Sequence, residues 1–116
     1  TVHEDLSKAR QSIVISTTRL RWNRTPKIIE LLAAASLRGV SITIIISETG
    51  NRESDLQTMG FSILHRPTCK MQCAVIDQRI GWYGSVNLVG HSLADSNVIR
   101  MVTSEFTNAL IDALDL

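Results

Sequence analysis

The sequence predicts an α/β domain, with one mixed sheet covered by helices on both faces in an α/β/α sandwich. Three observations lead there. Helix and strand patterns alternate through the first half, while strand patterns cluster in the second half before a closing helix. The run Ser41–Ser47 (SITIIIS) lacks polar alternation, as expected of a strand covered on both faces. Helical stretches near the middle and at the end each carry one apolar face at helical spacing.

The elements follow in order. Val2 to Arg10 places Val2, Leu6 and Ala9 at helical spacing. Ser12–Thr18 (SIVISTT) is β-branched and reads as a strand. Thr25-Pro26 starts a helix with a capping hydroxyl and a proline at the first position. Its buried face is Ile28, Ile29, Leu32 and Ala35, and Gly39 closes it. After strand Ser41–Ser47, Thr49-Gly50-Asn51 makes a turn, and Ser54 caps a short helix ending at Gly60. Ser62–Arg66, Met71–Asp77, Ile80–Tyr83 and Asn97–Thr103 read as strands. Ser104 is expected to cap the last helix, with Phe106, Leu110, Ile111 and Leu114 on its inner face.

Composition sets limits. A chain of 116 residues with 44% hydrophobic content suits one domain with a real core. A net charge of +1 gives no long-range pull on any partner. Arginine outnumbers lysine nine to three, which favours bidentate contacts with phosphate or carboxylate. Two cysteines make no disulfide framework, so a cytoplasmic protein is expected. No apolar run reaches the roughly 18 residues of a membrane span, and no signal peptide is expected. The chain opens at Thr1 without an initiator Met and is expected to be a domain of a longer parent.

The segment Lys70–Asn87 (KMQCAVIDQRIGWYGSVN) carries the chemistry. It resembles the signature of the phospholipase D-like (HKD) phosphodiesterases, H-x-K-x-x-x-x-D followed after a short gap by G-S-x-N. Asp77 holds the aspartate position, and Gly84, Ser85 and Asn87 fill the second half. Lys70 stands at the histidine position and Gln72 at the lysine position. In the family the histidine attacks phosphorus and the lysine holds the phosphate oxygens. A second histidine, from a second motif copy, protonates the leaving group, and the serine and asparagine add hydrogen bonds. Residues i and i+2 of a strand share a face, so Lys70 and Gln72 are expected side by side. Lysine can bind phosphate as a point charge and glutamine can donate an amide hydrogen bond, but neither replaces the imidazole. Loss of a nucleophile costs on the order of a million-fold, or roughly 8 kcal/mol of barrier.

The resemblance runs further along the chain. Trp82-Tyr83-Gly84-Ser85-x-Asn87-Leu88, then Asn97-x-Ile99-Arg100 and a closing helix, look like the subgroup attached to nucleic-acid helicases and DNA-defence proteins. In that subgroup Asn97 would buttress the site, giving Lys70, Ser85, Asn87 and Asn97 as the phosphate-binding set. The chain is too short for two motif copies, so the resemblance also implies a two-fold homodimer. Without the resemblance, the same residues make an ordinary hairpin, with Asp77 in a type I turn and Ser85 and Asn87 as loop hydrogen-bonders.

Arg19, Arg21, Trp22 and Arg24 follow the first strand, where open α/β sheets present ligands. Three arginines with one tryptophan suit phosphate contacts plus base stacking. The alternative is a solvated loop with Trp22 packed on a neighbour. Arg66 and Lys70 would extend the patch. His65, Cys69 and Cys73 are four residues apart, but four extended residues span roughly 13 Å, so zinc is not expected. No cofactor motif is present. His91, four residues after Asn87, is the alternative reacting group of a rearranged phosphodiesterase. The sequence therefore points to a catalytically degenerate nuclease-like module of a larger nucleic-acid-processing protein. The alternatives are an active phosphodiesterase and a pure assembly domain.

Overall fold

The structure, a computed structural model, describes residues 2–17, 26–48, 57–67, 72–84 and 98–114. Six strands form one sheet: β1 (Ser12–Thr17), β2 (Ser41–Ile46), β3 (Ser62–His65), β4 (Gln72–Ile76), β5 (Ile80–Gly84) and β6 (Val98–Met101). Their order across the sheet is β3-β2-β1-β4-β5-β6. β1, β2 and β3 run parallel, whereas β4, β5 and β6 add on as antiparallel neighbours. The expected mixed sheet is thus the observed one.

Helices cover both faces. The helices α1 (Val2–Ser7) and α2 (Pro26–Leu37) lie on one side, and α3 (Ser104–Ala113) lies on the other. Strand alternation separates the two cores. Ile13, Ile15, Ile42, Ile44, Ala74 and Ile76 join Leu6, Ile28 and Leu32 under α1 and α2. Ile45, Cys73 and Val75 meet Leu110 and Leu114 of α3 on the opposite face. β2 thus contributes isoleucines to both sides, which is why its sequence shows no polar alternation.

Several boundaries differ from those expected. α1 stops at Ser7 rather than Arg10, because the amides of Arg10, Gln11 and Ser12 turn to the Asp77 carboxylate. β4 stops at Ile76, because Asp77 and Gln78 both have positive φ (56° and 54°). With the Arg79 amide donating to the Ile76 carbonyl, that pattern is the type I′ hairpin turn rather than type I. The cap of α3 is Thr103, not Ser104: Thr103 is extended, and its hydroxyl accepts from the Phe106 amide. β3 ends one residue before Arg66, whose amide still donates to the Ile46 carbonyl. The last strand, described from Val98, ends at Met101 rather than Thr103. Of the expected helix before Gly60, Gln57, Thr58 and Met59 are described; the first two are helical and Met59 lies in a turn. Gly39 and Gly60 adopt φ of 91° and 94°, the left-handed form that ends helices.

Candidate functional site

Strand directions bring to one end of the sheet the described strand ends that adjoin the expected site segments in sequence. The parallel strands β1, β2 and β3 finish there at Thr17, Ile46 and His65. β4 begins there at Gln72, because Ser16 pairs with Cys73 in antiparallel register. β5 finishes there at Gly84, and β6 begins beside it, with Gly84 paired to Val98. The chain therefore leaves this end toward the Arg19–Arg24 segment, and it enters β4 and β6 here from the Lys70 and Asn97 segments. Toward Ser85 and Asn87 it leaves from the end of β5.

The described part of the motif is paired directly. Gln72, at the lysine position, is the register partner of Gly84, the glycine of Gly-Ser-x-Asn. Continuing the β1–β4 register places Thr17 on the other side of Gln72. Gln72 shares the face of Ala74 and Ile76, toward α1 and α2. Lys70, Ser85, Asn87 and Asn97 lie outside the described residues, as do Arg19, Arg21, Trp22 and Arg24, and also Cys69 and His91.

Sequence reading missed the polar floor of this end. Ser16 and Thr17 at the end of β1 and Ser47 just after β2 are buried, and each has an interaction partner. The available signal was a hydroxyl-rich finish to two isoleucine-rich strands, SIVIST and SITIIIS. Hydroxyls buried at strand ends are held in place by their partners.

Asp77 sits at the opposite end. It lies five residue steps from Gln72, or roughly 17 Å. Its carboxylate accepts hydrogen bonds from three consecutive main-chain amides: Arg10 at 3.1 and 3.2 Å, Gln11 at 2.8 Å and Ser12 at 3.2 Å. In return, the Asp77 amide donates to the Ser12 carbonyl at 2.7 Å. This residue fastens the α1–β1 connection to the β4–β5 turn and stays away from the Gln72 end.

A second polar anchor ties α1 to the far half of the sheet. Asp5 accepts from the Trp82 indole N–H at 2.7 Å. It also accepts from Arg100 Nε at 2.8 Å and Nη2 at 3.0 Å. The guanidinium also lies 5.9 Å from the Trp82 ring centroid. Burial pushes the Asp5 pKa up, but the hydrogen bonds from Arg100 and Trp82 and the Arg100 charge outweigh it and hold the carboxyl below its ordinary value. Arg100 belongs to the Asn97-x-Ile99-Arg100 run, but nothing in the sequence paired it with Asp5.

The metal spacing does not close among the described residues. Cys73 is buried beneath α3, whereas His65 is exposed at the end of edge strand β3. No described group of three or more His, Cys, Asp or Glu is placed to hold a metal ion. Among the described residues, no helix is long and apolar enough to cross a membrane.

Comparison with known proteins gives a consistent result. The family described as cardiolipin synthase, PLD-like domain, matches residues 2–114. No curated protein matches the chain in sequence. Among solved structures, the phospholipase D family member Nuc from Salmonella typhimurium superimposes with a TM-score of 0.74 at 19% identity, covering 98% of this chain and 82% of Nuc. NucT from Helicobacter pylori gives 0.72 at 13% identity, with the same coverage of 98% and 82%. The archaeal chromatin protein TrmBL2, described as showing a novel mode of DNA binding, gives 0.66 at 11% identity, covering 98% of this chain and 45% of TrmBL2. At these identities the likeness is one of fold.

Proposed function

The chain belongs to the PLD-like domain family, and we propose that it is a catalytically degenerate, nuclease-like module that binds the phosphodiester backbone of nucleic acid. The observation that carries this reading is the pairing of Gln72 with Gly84. It joins the two halves of the motif across β4 and β5, so the frame of a phosphate site is kept where glutamine replaces the lysine. The amide of Gln72 can donate to a phosphate oxygen, and Lys70 precedes it by the i−2 spacing that shares a face in a strand. Phosphate binding needs donors and charge. Hydrolysis also needs the imidazole, which Lys70 cannot supply.

The DNA-binding description of TrmBL2 and the fold shared with Nuc support a nucleic-acid partner. From the resemblance we also propose that the domain serves a larger DNA- or RNA-processing protein of helicase or defence type. The test is turnover of bis(p-nitrophenyl) phosphate and single-stranded DNA, with and without EDTA. No turnover is expected beside measurable binding of the same DNA. EDTA-resistant cleavage that disappears in His91→Ala would overturn the degenerate reading and favour a rearranged phosphodiesterase.

A further inference from the structure

The end of the sheet opposite Gln72 carries a second feature. There the end of α1, the start of β1, the turn after α2 and the β4–β5 turn come together. Two adjoining concavities of ≈ 560 and ≈ 370 Å³ share Lys8 and Arg10 in their walls. Arg38 completes the first, and Gln11, Asp77 and Arg79 complete the second. Four cationic side chains thus face one surface with a single carboxylate, and that carboxylate is turned onto three main-chain amides.

The cations here are not consumed by the fold. Lys8, Arg10 and Arg79 are exposed and make no side-chain hydrogen bond or ion pair with another described residue. Arg38 spends Nη2 on the carbonyls of Ala9 (2.9 Å) and Leu6 (3.5 Å), which leaves Nε and Nη1 available. Clustering four like charges around a single carboxylate costs energy in the free protein, and an anion relieves that cost.

We propose that this basic pole is a second nucleic-acid contact, separate from the motif end, that grips phosphates of the backbone without reading bases. The wall composition selects the partner. Protein partners are held by buried aromatic or large aliphatic anchors, and the largest apolar wall residue here is Ala9. Phosphates need only cations and N–H donors, which this wall supplies. No aromatic ring lines it, so bases cannot stack, and duplex binds as well as single strand. The Trp22-containing segment, which carries a ring, is expected instead to favour single strands. This inference does not depend on the degenerate-site reading.

The experiment uses the 116-residue chain with Arg19, Arg21 and Arg24 replaced by Gln, which removes the other arginine cluster. Anisotropy of a labelled duplex is followed from 50 to 200 mM salt. Three phosphate contacts give a log–log slope of about −2.7, or a roughly 40-fold loss of affinity over that range. Adding Lys8→Gln, Arg10→Gln and Arg79→Gln should remove the slope and the binding. Amide shifts of Lys8, Arg10, Gln11 and Arg79 on titrating duplex into the unaltered chain provide a check that needs no substitution. An unchanged slope in the neutralised variant, or shifts confined to Gln72–Gly84, overturns the proposal. Binding of poly-glutamate in place of duplex overturns it too, in favour of an acidic protein partner.

Discussion

Replacing Asp77 should reveal its purely structural role through a graded loss of stability. The residue performs two separable tasks. Its carboxylate receives three amides, and its backbone holds a φ of 56°. Arg10 and Gln11 are exposed, so water can satisfy their amides when the carboxylate is gone, whereas the Ser12 bond is partly buried. One charge-assisted bond in a partly buried setting is worth about 1.5–3 kcal/mol, and the two exposed ones add about 0.5 kcal/mol each. Asp77→Gly keeps the left-handed backbone at no steric cost, so it should lose about 2–4 kcal/mol. Asp77→Ala adds a left-handed penalty of about 1–2 kcal/mol. Asp77→Asn keeps one acceptor oxygen and tolerates the backbone, so it should lose least, about 1–2 kcal/mol. For a chain of this length, 3 kcal/mol lowers Tm by about 12 °C. Urea unfolding followed by circular dichroism gives the three free energies, and the expected order of damage is Ala, then Gly, then Asn. Should Gly come within 0.5 kcal/mol of the parent, roughly the noise of a surface change, the amide clamp carries no weight. Should Ala match Gly, the backbone argument fails.

Other perturbations test the packing and the anchors. At Gly81 an added Cβ would sit 2.8 and 2.9 Å from Phe106 ring carbons and 3.2 Å from Leu110. Gly81→Ala should therefore cost about 1–3 kcal/mol by overpacking, and Phe106→Leu in the same chain should recover part of it in a thermal melt. Thr107 is fully buried and donates to the Gln78 carbonyl at 2.7 Å, so Thr107→Val should lose about 1–2 kcal/mol in urea. Asp5 has a pKa below its ordinary 3.8 when folded. Its contribution is therefore complete above that value and fades as pH falls through the lowered folded pKa. Asp5→Asn should flatten the acid limb of a stability–pH curve below about pH 4, and an unaltered limb would show that Asp5 is not a source of acid sensitivity.

The fold was legible because its strongest signals are local and periodic. SITIIIS predicted a strand covered twice, and Ile45 and Ile44 do fill opposite cores. Gly39 and Gly60 were readable as helix stops because left-handed backbone favours glycine. The misplaced end of α1 involves a contact across a long separation. Nothing near Arg10 announces that its amide will meet a carboxylate 67 residues later. Likewise Asp5 meets Trp82 and Arg100, 77 and 95 residues away. An aspartate in a first helical turn reads as a dipole partner, and only the folded chain reveals it as a bridge to two strands. Thr103 and Ser104 are both good caps, and the choice between them depends on which backbone is extended.

The two ends of β4 differ in what holds them, and on the proposed reading the chemistry could be lost without loss of the frame. At the Asp77 end, the carboxylate sets the hairpin and docks it on β1 through contacts that involve no ligand. At the Gln72 end, the frame comes from backbone pairing to Gly84 and from a floor of buried hydroxyls that already have partners. Neither depends on the identity of the side chain that would touch phosphate. Exchange of a lysine for a neutral amide at this position therefore costs little stability, because no buried partner charge is left behind among the described residues. The Asp77→Gly and Asp77→Ala losses should accordingly exceed that of Gln72→Lys, the change that restores the family residue. Parent-like unfolding of Gln72→Lys, beside a gain in phosphate affinity, is the result this division of labour requires. A large destabilisation would mean that the amide of Gln72 has become part of the scaffold itself.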